Sequence, residues 1–280
     1  MIKYKKHTKR RVVRKRLAFP HGVSKEENEV SNMVALEFPG TPVYRSDRMV
    51  LHGRELDIYL PTKKLAIEFD GLKFHNSESK DKFYHLRKTI GCEKAGIRLI
   101  HIFSDEWELK KPLVIDLIRR SMGKFNTIDA GKCIIKPITR QEAKIFLDAS
   151  DLRGDCPEAT GHFGLFYNTD IVAVLSYKEN KDETEILRYT ERRLIRVDKG
   201  LEQLLTMIPG PYIARIDRRI MGCLDFEEAG FKKIEATEPK AYYTKDYKKR
   251  FLESELTEQQ RSECVEIYDC GDIIMKKPSV

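Results

Sequence analysis

RELDIYLPTKKLAIEFD, residues 54–70, decides how the first half of the chain reads. Two alternating apolar runs flank PTKK, which is read as a four-residue hairpin loop at 61–64. Leu60 then faces Leu65, Tyr59 faces Ala66, Ile58 faces Ile67 and Asp57 faces Glu68. Strand alternation puts Leu56, Ile58, Leu60, Leu65, Ile67 and Phe69 on one face, and Asp57, Glu68 and Asp70 on the other. Directly opposed side chains have Cβ atoms about 5 Å apart. Like charges at that distance are destabilising unless a pKa rises or a divalent cation sits between them. The hairpin therefore predicts a metal-binding acid face; the alternative is a solvated strand face. A one-residue slip in register would dissolve the cluster.

Neighbouring residues extend the expectation. His75 follows Gly71 and can swing back over the acid face as a general acid or base. His85 and Lys88 are spaced to share a helix face, with Lys82 one turn earlier. Cations there would stabilise charge developing on a metal-bound phosphate; a plain solvated face is the competing reading. Ser24 and Glu27 form a predicted capping box. Glu27 also falls on the apolar side of that first helix, from which a carboxylate can reach a metal.

The chain of 280 residues has room for two cores, and 41% hydrophobic with 34% charged residues is a globular composition. The order α-β-β-α-β-α closes a first α/β domain over residues 20–125. After a link near KFNTIDAGK, a second mixed α/β domain runs over 131–280, with a hairpin turning at Asn168-Thr169. The six cysteines are scattered, with no CxxC and no Cys/His cluster at zinc spacing, so free thiols in a reducing compartment are expected and a structural zinc is not. No apolar run is long enough to span a bilayer, and the basic N-terminus lacks an apolar h-region. A soluble, cytoplasmic protein without a membrane partner is the expectation.

Charge is unevenly placed. Residues 1–16 carry nine Lys/Arg and no acid; removing those nine from the 52 basic residues leaves 43 against 44 acidic ones. The net charge of +8 is thus the arm. Arg10 and Arg11 at its centre suit phosphate neutralisation with counterion release, and residues 1–19 are expected to form a flexible DNA-binding arm.

RELDIYLPTKKLAIEFDGLKFHNS, followed by FYHLRKT, GIRLIHIF and DEW, resembles the endonucleases related to very-short-patch repair enzymes. It is most similar to phage homing endonucleases of the EDxHD group, within the PD-(D/E)xK superfamily. The resemblance covers about residues 20–123. It implies a restriction-endonuclease-like fold and Mg²⁺-dependent hydrolysis of double-stranded DNA in a phage-infected bacterial cell. By position it assigns Asp57 and Glu68 to the metal together with the backbone carbonyl of Phe69, His75 to the downstream histidine and Glu27 to the first-helix glutamate. Asp70 stands where relatives carry histidine or lysine. Water activation would then fall to His75, Asp70 or the metal.

In the second half, RVDKGLEQLL, YIARID and LDFEEAGFKK together are similar to the N-acetyltransferase superfamily, which implies an acyl-CoA pyrophosphate bound on a turn before a helix. That turn is reduced here to Asp198-Lys199-Gly200. KAYYTKDYKKR interleaves Tyr242, Tyr243 and Tyr247 with Lys240, Lys245, Lys248, Lys249 and Arg250, a pattern suited to a nucleic-acid surface. The sequence thus supports a Mg²⁺-dependent DNA endonuclease with a targeting domain. The alternatives are a catalytically inactive DNA-binding protein on that scaffold and a CoA-dependent acyltransferase.

Overall fold

The computed structural model describes residues 24–220 and 222–278, so the basic arm with Arg10 and Arg11 lies outside the described residues. Ser24 caps α1 (Lys25–Glu37) in the expected capping box with Glu27. β1 (Tyr44–Leu51) was not anticipated; it follows the proline-glycine break and forms an antiparallel hairpin with β2 (Arg54–Leu60). A single 3-10 turn at Pro61–Lys63, closed by left-handed Lys64, leads into β3 (Leu65–Asp70). The register is the predicted one, with Leu60 on Leu65, Tyr59 on Ala66 and Ile58 on Ile67.

The ladder stops at that third pair. Beyond it, side chains take over: the Asp57 N–H donates to Glu68 Oε1 at 3.0 Å and the Phe69 N–H to Asp57 Oδ2 at 2.8 Å. Leu56 accordingly does not stay with Ile58 and Leu60 as alternation predicted. It packs with Ala66, Cys92 and Leu99 on the opposite side of the sheet.

α2 (Tyr84–Lys94) starts at Tyr84 rather than near Ser77. The intervening chain is held as turns by Asn76, whose amide donates to the carbonyls of Leu72 and Lys73. β4 (Arg98–Phe103) runs parallel to β3 and completes a four-stranded sheet in the order β1-β2-β3-β4. α3 (Ser104–Ser121) follows directly. Its backbone leaves helical geometry at Lys110, because Pro112 lacks an N–H and crowds the turn before it. α1 and α3 cover one face through Val30, Val34, Val114 and Ile118 against Ile58, Ile67 and Ile100. α2 covers the other. The face expected to carry solvated or metal-bound acids is therefore buried beneath a helix.

In the second half the elements are β5 (Asn126–Asp129), β6 (Ile134–Pro137), α4 (Arg140–Ser150), β7 (Gly161–Tyr167), β8 (Asp170–Glu179), β9 (Thr184–Glu191) and β10 (Ile195–Asp198). Then come α5 (Gly200–Leu205), β11 (Tyr212–Asp217), α6 (Leu224–Glu228), β12 (Lys232–Ala236), β13 (Ala241–Thr244), α7 (Glu258–Ser262), β14 (Val265–Tyr268) and β15 (Asp272–Lys277). A seven-stranded sheet runs β12-β15-β11-β9-β8-β7-β6. Leu165, Leu175, Ile186, Leu201, Leu204, Ala214 and Met275 are among its core residues. The hairpin turn falls at Asn168, with φ 57°, as expected. The closing strand pair expected of IYDCGDIIM does not form. β14 pairs with β13, while β15 inserts between β11 and β12. Gly271 makes that divergence possible: at φ +70°, a Cβ there would lie 2.5 Å from the Thr237 carbonyl oxygen. The chain is mixed α/β throughout, and no helix of the described residues is long and apolar enough to cross a membrane.

Candidate functional site

β3 delivers Glu68 and Asp70 to the face covered by α2, where His85 and Lys88 project from the helix. The structure thus brings together Asp57, Glu68, Asp70, His75, His85 and Lys88. It also adds His101 from β4, opposite Glu68 in the parallel pairing. Glu68, Asp70, His85, Lys88 and His101 are all buried. Burial on this scale makes an unpaired charge expensive, so each ion has acquired a partner.

Lys88 Nζ donates to Glu68 Oε2. Burial pushes the Glu68 carboxyl up to about 7, with Lys88 pulling it back. Burial, with the charge of Glu68 added, pushes Asp57 up to about 8. Asp70 behaves oppositely. Although burial works against its charge, His85 and His101 outweigh that cost and hold its carboxyl well below the usual range. His101 Nδ1 lies 2.8 Å from Asp70 Oδ2 and His101 Nε2 lies 2.9 Å from Thr89 Oγ1.

Several expectations are corrected here. His85 and Lys88 were expected on a phosphate-facing helix face, but at 2% and 5% exposure they are core ions. Lys82, on the turn before α2, pairs with Glu238. Glu27 caps Ser24 at 3.0 Å and is felt by Asp57 only through its charge. Phe69 packs edge-on against Trp107 at 5.4 Å, while its N–H is held by Asp57. Asp57 and Glu68, expected to converge on Mg²⁺, instead accept backbone N–H bonds and the Lys88 ammonium. In the 240–250 segment Tyr243 is buried, Lys245 pairs with Glu263, and Lys249 sits over the Phe251 ring at 4.8 Å. Lys248 is exposed, 4.0 Å from Asp246.

Sequence reasoning missed a buried network joining the two halves. Arg219 donates to Glu106 at 2.7 Å and to the His101 carbonyl at 3.0 Å. Arg250 donates to Asp105 at 3.0 Å and lies 2.9 Å from Glu106, with its guanidinium 3.8 Å above the Phe103 ring. DEW in the sequence was a signal, but its cationic partners lie more than a hundred residues away.

The second candidate region is a wedge in the seven-stranded sheet. β9 and the parallel β11 pair only over Thr184–Ile186 and Tyr212–Ala214 and then separate. A cavity of about 280 Å³ borders the distal half of β9. It is lined by Tyr189 and Thr190, by Leu117 and Arg120 of α3, and by Arg192 and Arg193. Glu191 anchors this end of the strand, accepting from Tyr189 Oη at 3.0 Å and Val197 N at 2.7 Å and pairing with Arg120. Gly200 is required at the start of α5, since a Cβ there would lie 2.5 Å from the Tyr189 hydroxyl. A larger cavity of about 520 Å³ borders the proximal half of β9 and contains Arg188, Arg215, Asp217, Asp269 and Asp272.

No protein-family model and no curated protein matches the chain. Solved structures do. An acetyltransferase from Bacillus subtilis in complex with CoA matches at 10% identity and a TM-score of 0.35, covering 53% of this chain and 100% of its own. A GNAT family acetyltransferase from Elizabethkingia anophelis with acetyl-CoA bound matches at 12% and 0.31, covering 52% and 98%. The PaiA N-acetyltransferase from Thermoplasma acidophilum in complex with coenzyme A matches at 14% and 0.27, covering 69% and 88%. These are distant likenesses of fold alone. They do not extend the nuclease resemblance. The endonuclease and hydrolase readings, and Mg²⁺ as their cofactor, are corrected: these matching structures are acetyltransferases holding CoA or acetyl-CoA, not nucleases.

Proposed function

We propose that the chain is a CoA-dependent acyltransferase that uses the wedge between β9 and β11. The observation that carries this reading is the early separation of two parallel strands, with a cavity lined by the distal half of β9 and by Ile220 and Leu224, which follow β11. Past Ile186 and Ala214 the facing strand edges no longer pair with each other, and an extended amide-bearing arm could take their place. The cavity, at about 280 Å³, is of a size for a pantetheine-like arm rather than a whole nucleotide.

The six-residue α5 carries Glu202 in its first turn, a poor neighbour for phosphate. In this reading the phosphates of the ligand sit instead against Arg192 and Arg193 at the cavity rim. The reaction would be attack of an acceptor amine nitrogen on the thioester carbonyl, with loss of a proton and departure of the CoA thiolate. The larger cavity on the proximal side of β9 offers Asp217, Asp269 and Asp272, carboxylates that suit a cationic amine. The division into units over 20–125 and 131–280 is part of the same proposal, the first covering the wedge with α3.

Calorimetric titration of the full chain with acetyl-CoA and with adenosine 3′,5′-bisphosphate tests it. Saturable acetyl-CoA binding, weakened at least about tenfold in Arg192→Glu/Arg193→Glu, is expected. No heat or protection up to millimolar acetyl-CoA would overturn the reading.

A further inference from the structure

The face of the first sheet covered by α2 carries a feature that acyl transfer does not use. Asp70 Oδ1, His75 Nδ1 and His85 Nε2 converge: the histidine nitrogens lie 3.1 and 3.3 Å from the carboxylate oxygen and 3.0 Å from one another. Asp70 Oδ1 is buried, and the two imidazole nitrogens are the polar side-chain atoms that approach it. The tautomer of His85 follows from its other nitrogen. Nδ1 lies 2.6 Å from the Tyr268 carbonyl oxygen, which can only accept, so Nδ1 donates there, and in the neutral ring Nε2 turns its lone pair inward. Asp70 Oδ2 is engaged by His101, which fixes the carboxylate and leaves Oδ1 to point at the two imidazoles. A proton on His75 Nδ1 can bridge to either neighbour; once that proton is lost, the three atoms turn three lone pairs on one point, where a cation can replace it.

We propose that Asp70, His75 and His85 form a binding site for a divalent transition metal of the zinc class. Zinc binds imidazole nitrogen and carboxylate oxygen at about 2.0–2.2 Å in tetrahedral geometry, which sets ligand atoms about 3.3 Å apart. The observed separations of 3.0, 3.1 and 3.3 Å need movements of only a few tenths of an ångström. The His101–Asp70 and His85–Tyr268 contacts are the outer hydrogen bonds that orient such ligands. Two imidazoles and one carboxylate favour zinc or cobalt over magnesium, which prefers oxygen. His75 keeps 17% of its side-chain surface exposed, leaving an approach for the ion and room for a fourth ligand from solvent. Because Tyr268 belongs to β14, the ion would also tie the first sheet to the C-terminal segment.

The test uses the full chain, stripped with a chelator and titrated with Zn²⁺, with metal per chain counted by mass spectrometry. The His75→Ala, His85→Gln and His52→Ala variants are run alongside, with far-UV circular dichroism and Trp107 fluorescence confirming that each is folded. His75 lies on a partly exposed turn, so its variant remains informative even if His85→Gln does not fold. Wild type and His52→Ala, altered at an exposed turn, are expected to hold about one zinc per chain, with affinity at least about tenfold weaker in His75→Ala. Cobalt should give the visible absorption of a tetrahedral site in wild type and lose it in His75→Ala. Equal affinity in folded His75→Ala and wild type, or no binding by wild type at micromolar zinc, would overturn the proposal.

Discussion

Replacing Lys88 by methionine tests the account of the buried carboxylates most directly. Lys88 is 5% exposed and its partner Glu68 1% exposed. Glu68 Oε1 would keep its bond from the Asp57 N–H, but Oε2 would lose its cationic donor. Breaking a buried pair from one side costs about 3–5 kcal/mol. If Glu68 escapes the penalty by taking up a proton, its folded pKa rises above the wild-type value of about 7, and at pH 8 this adds about 1.4 kcal/mol over wild type. That route is pH-dependent, because at pH 5 Glu68 already holds its proton in wild type and the substitution adds almost nothing through it. The folded-state pKa of Glu68 is raised, so its contribution to wild-type stability is fully present below about 4.3 and is lost as pH rises to about 7. Urea unfolding followed by Trp107, the single tryptophan and a core residue, should therefore show Lys88→Met destabilised by between about 1.4 and 5 kcal/mol at pH 8 and by less at pH 5. Glu68→Gln/Lys88→Met removes both charges and should return to within about 1–2 kcal/mol of wild type at pH 8. A cost below about 1 kcal/mol at pH 8, or a cost that does not change with pH, would refute the reasoning.

Asp57→Asn should become progressively more stable than wild type as pH rises. The raised folded pKa of about 8 means that folding holds a proton which the unfolded chain releases near 4, so wild-type stability is fully present below that value and is lost up to pH 8. Paired denaturation curves at pH 5 and pH 8 should diverge by up to about 1.4 kcal/mol per pH unit, and parallel curves would count against burial of the acid. Gly271→Ala should lower stability by about 2 kcal/mol or more, read as a fall in midpoint temperature, because its Cβ would meet the Thr237 and Glu238 carbonyl oxygens at 2.5 and 2.7 Å. Arg219→Met leaves Glu106 with Arg250 as its one remaining cationic partner and takes the guanidinium from beside Asp217; it should cost about 3 kcal/mol in the same melts, with partial recovery in Arg219→Met/Glu106→Gln.

Local chemistry was sufficient for much of the fold. The Pro61–Lys64 turn and the apolar alternation around it set the register of β2 on β3, because any slip would move Ile58 and Ile67 out of the core. The capping box at Ser24 and the turn at Asn168 were readable for the same reason: each depends on residues a few positions apart. The convergence of Asp57, Glu68 and Asp70 with His75, His85 and Lys88 was also legible as a set. What these side chains do to one another was not. Whether an acid face meets water, a metal or a lysine depends on which helix covers it, and α2 buries it. His101 and Tyr268 complete the surroundings of Asp70 from β4 and from a strand nearly two hundred residues away, and no spacing rule connects them. The separation of β9 from β11, and the insertion of β15 between β11 and β12, are likewise properties of long-range pairing. The sequence by itself determined the Ser24 cap, the turns at Pro61–Lys64 and Asn168 and the register of β2 on β3. Only the tertiary structure decided which charges are buried together, because desolvation is a property of the packed whole rather than of neighbours along the chain.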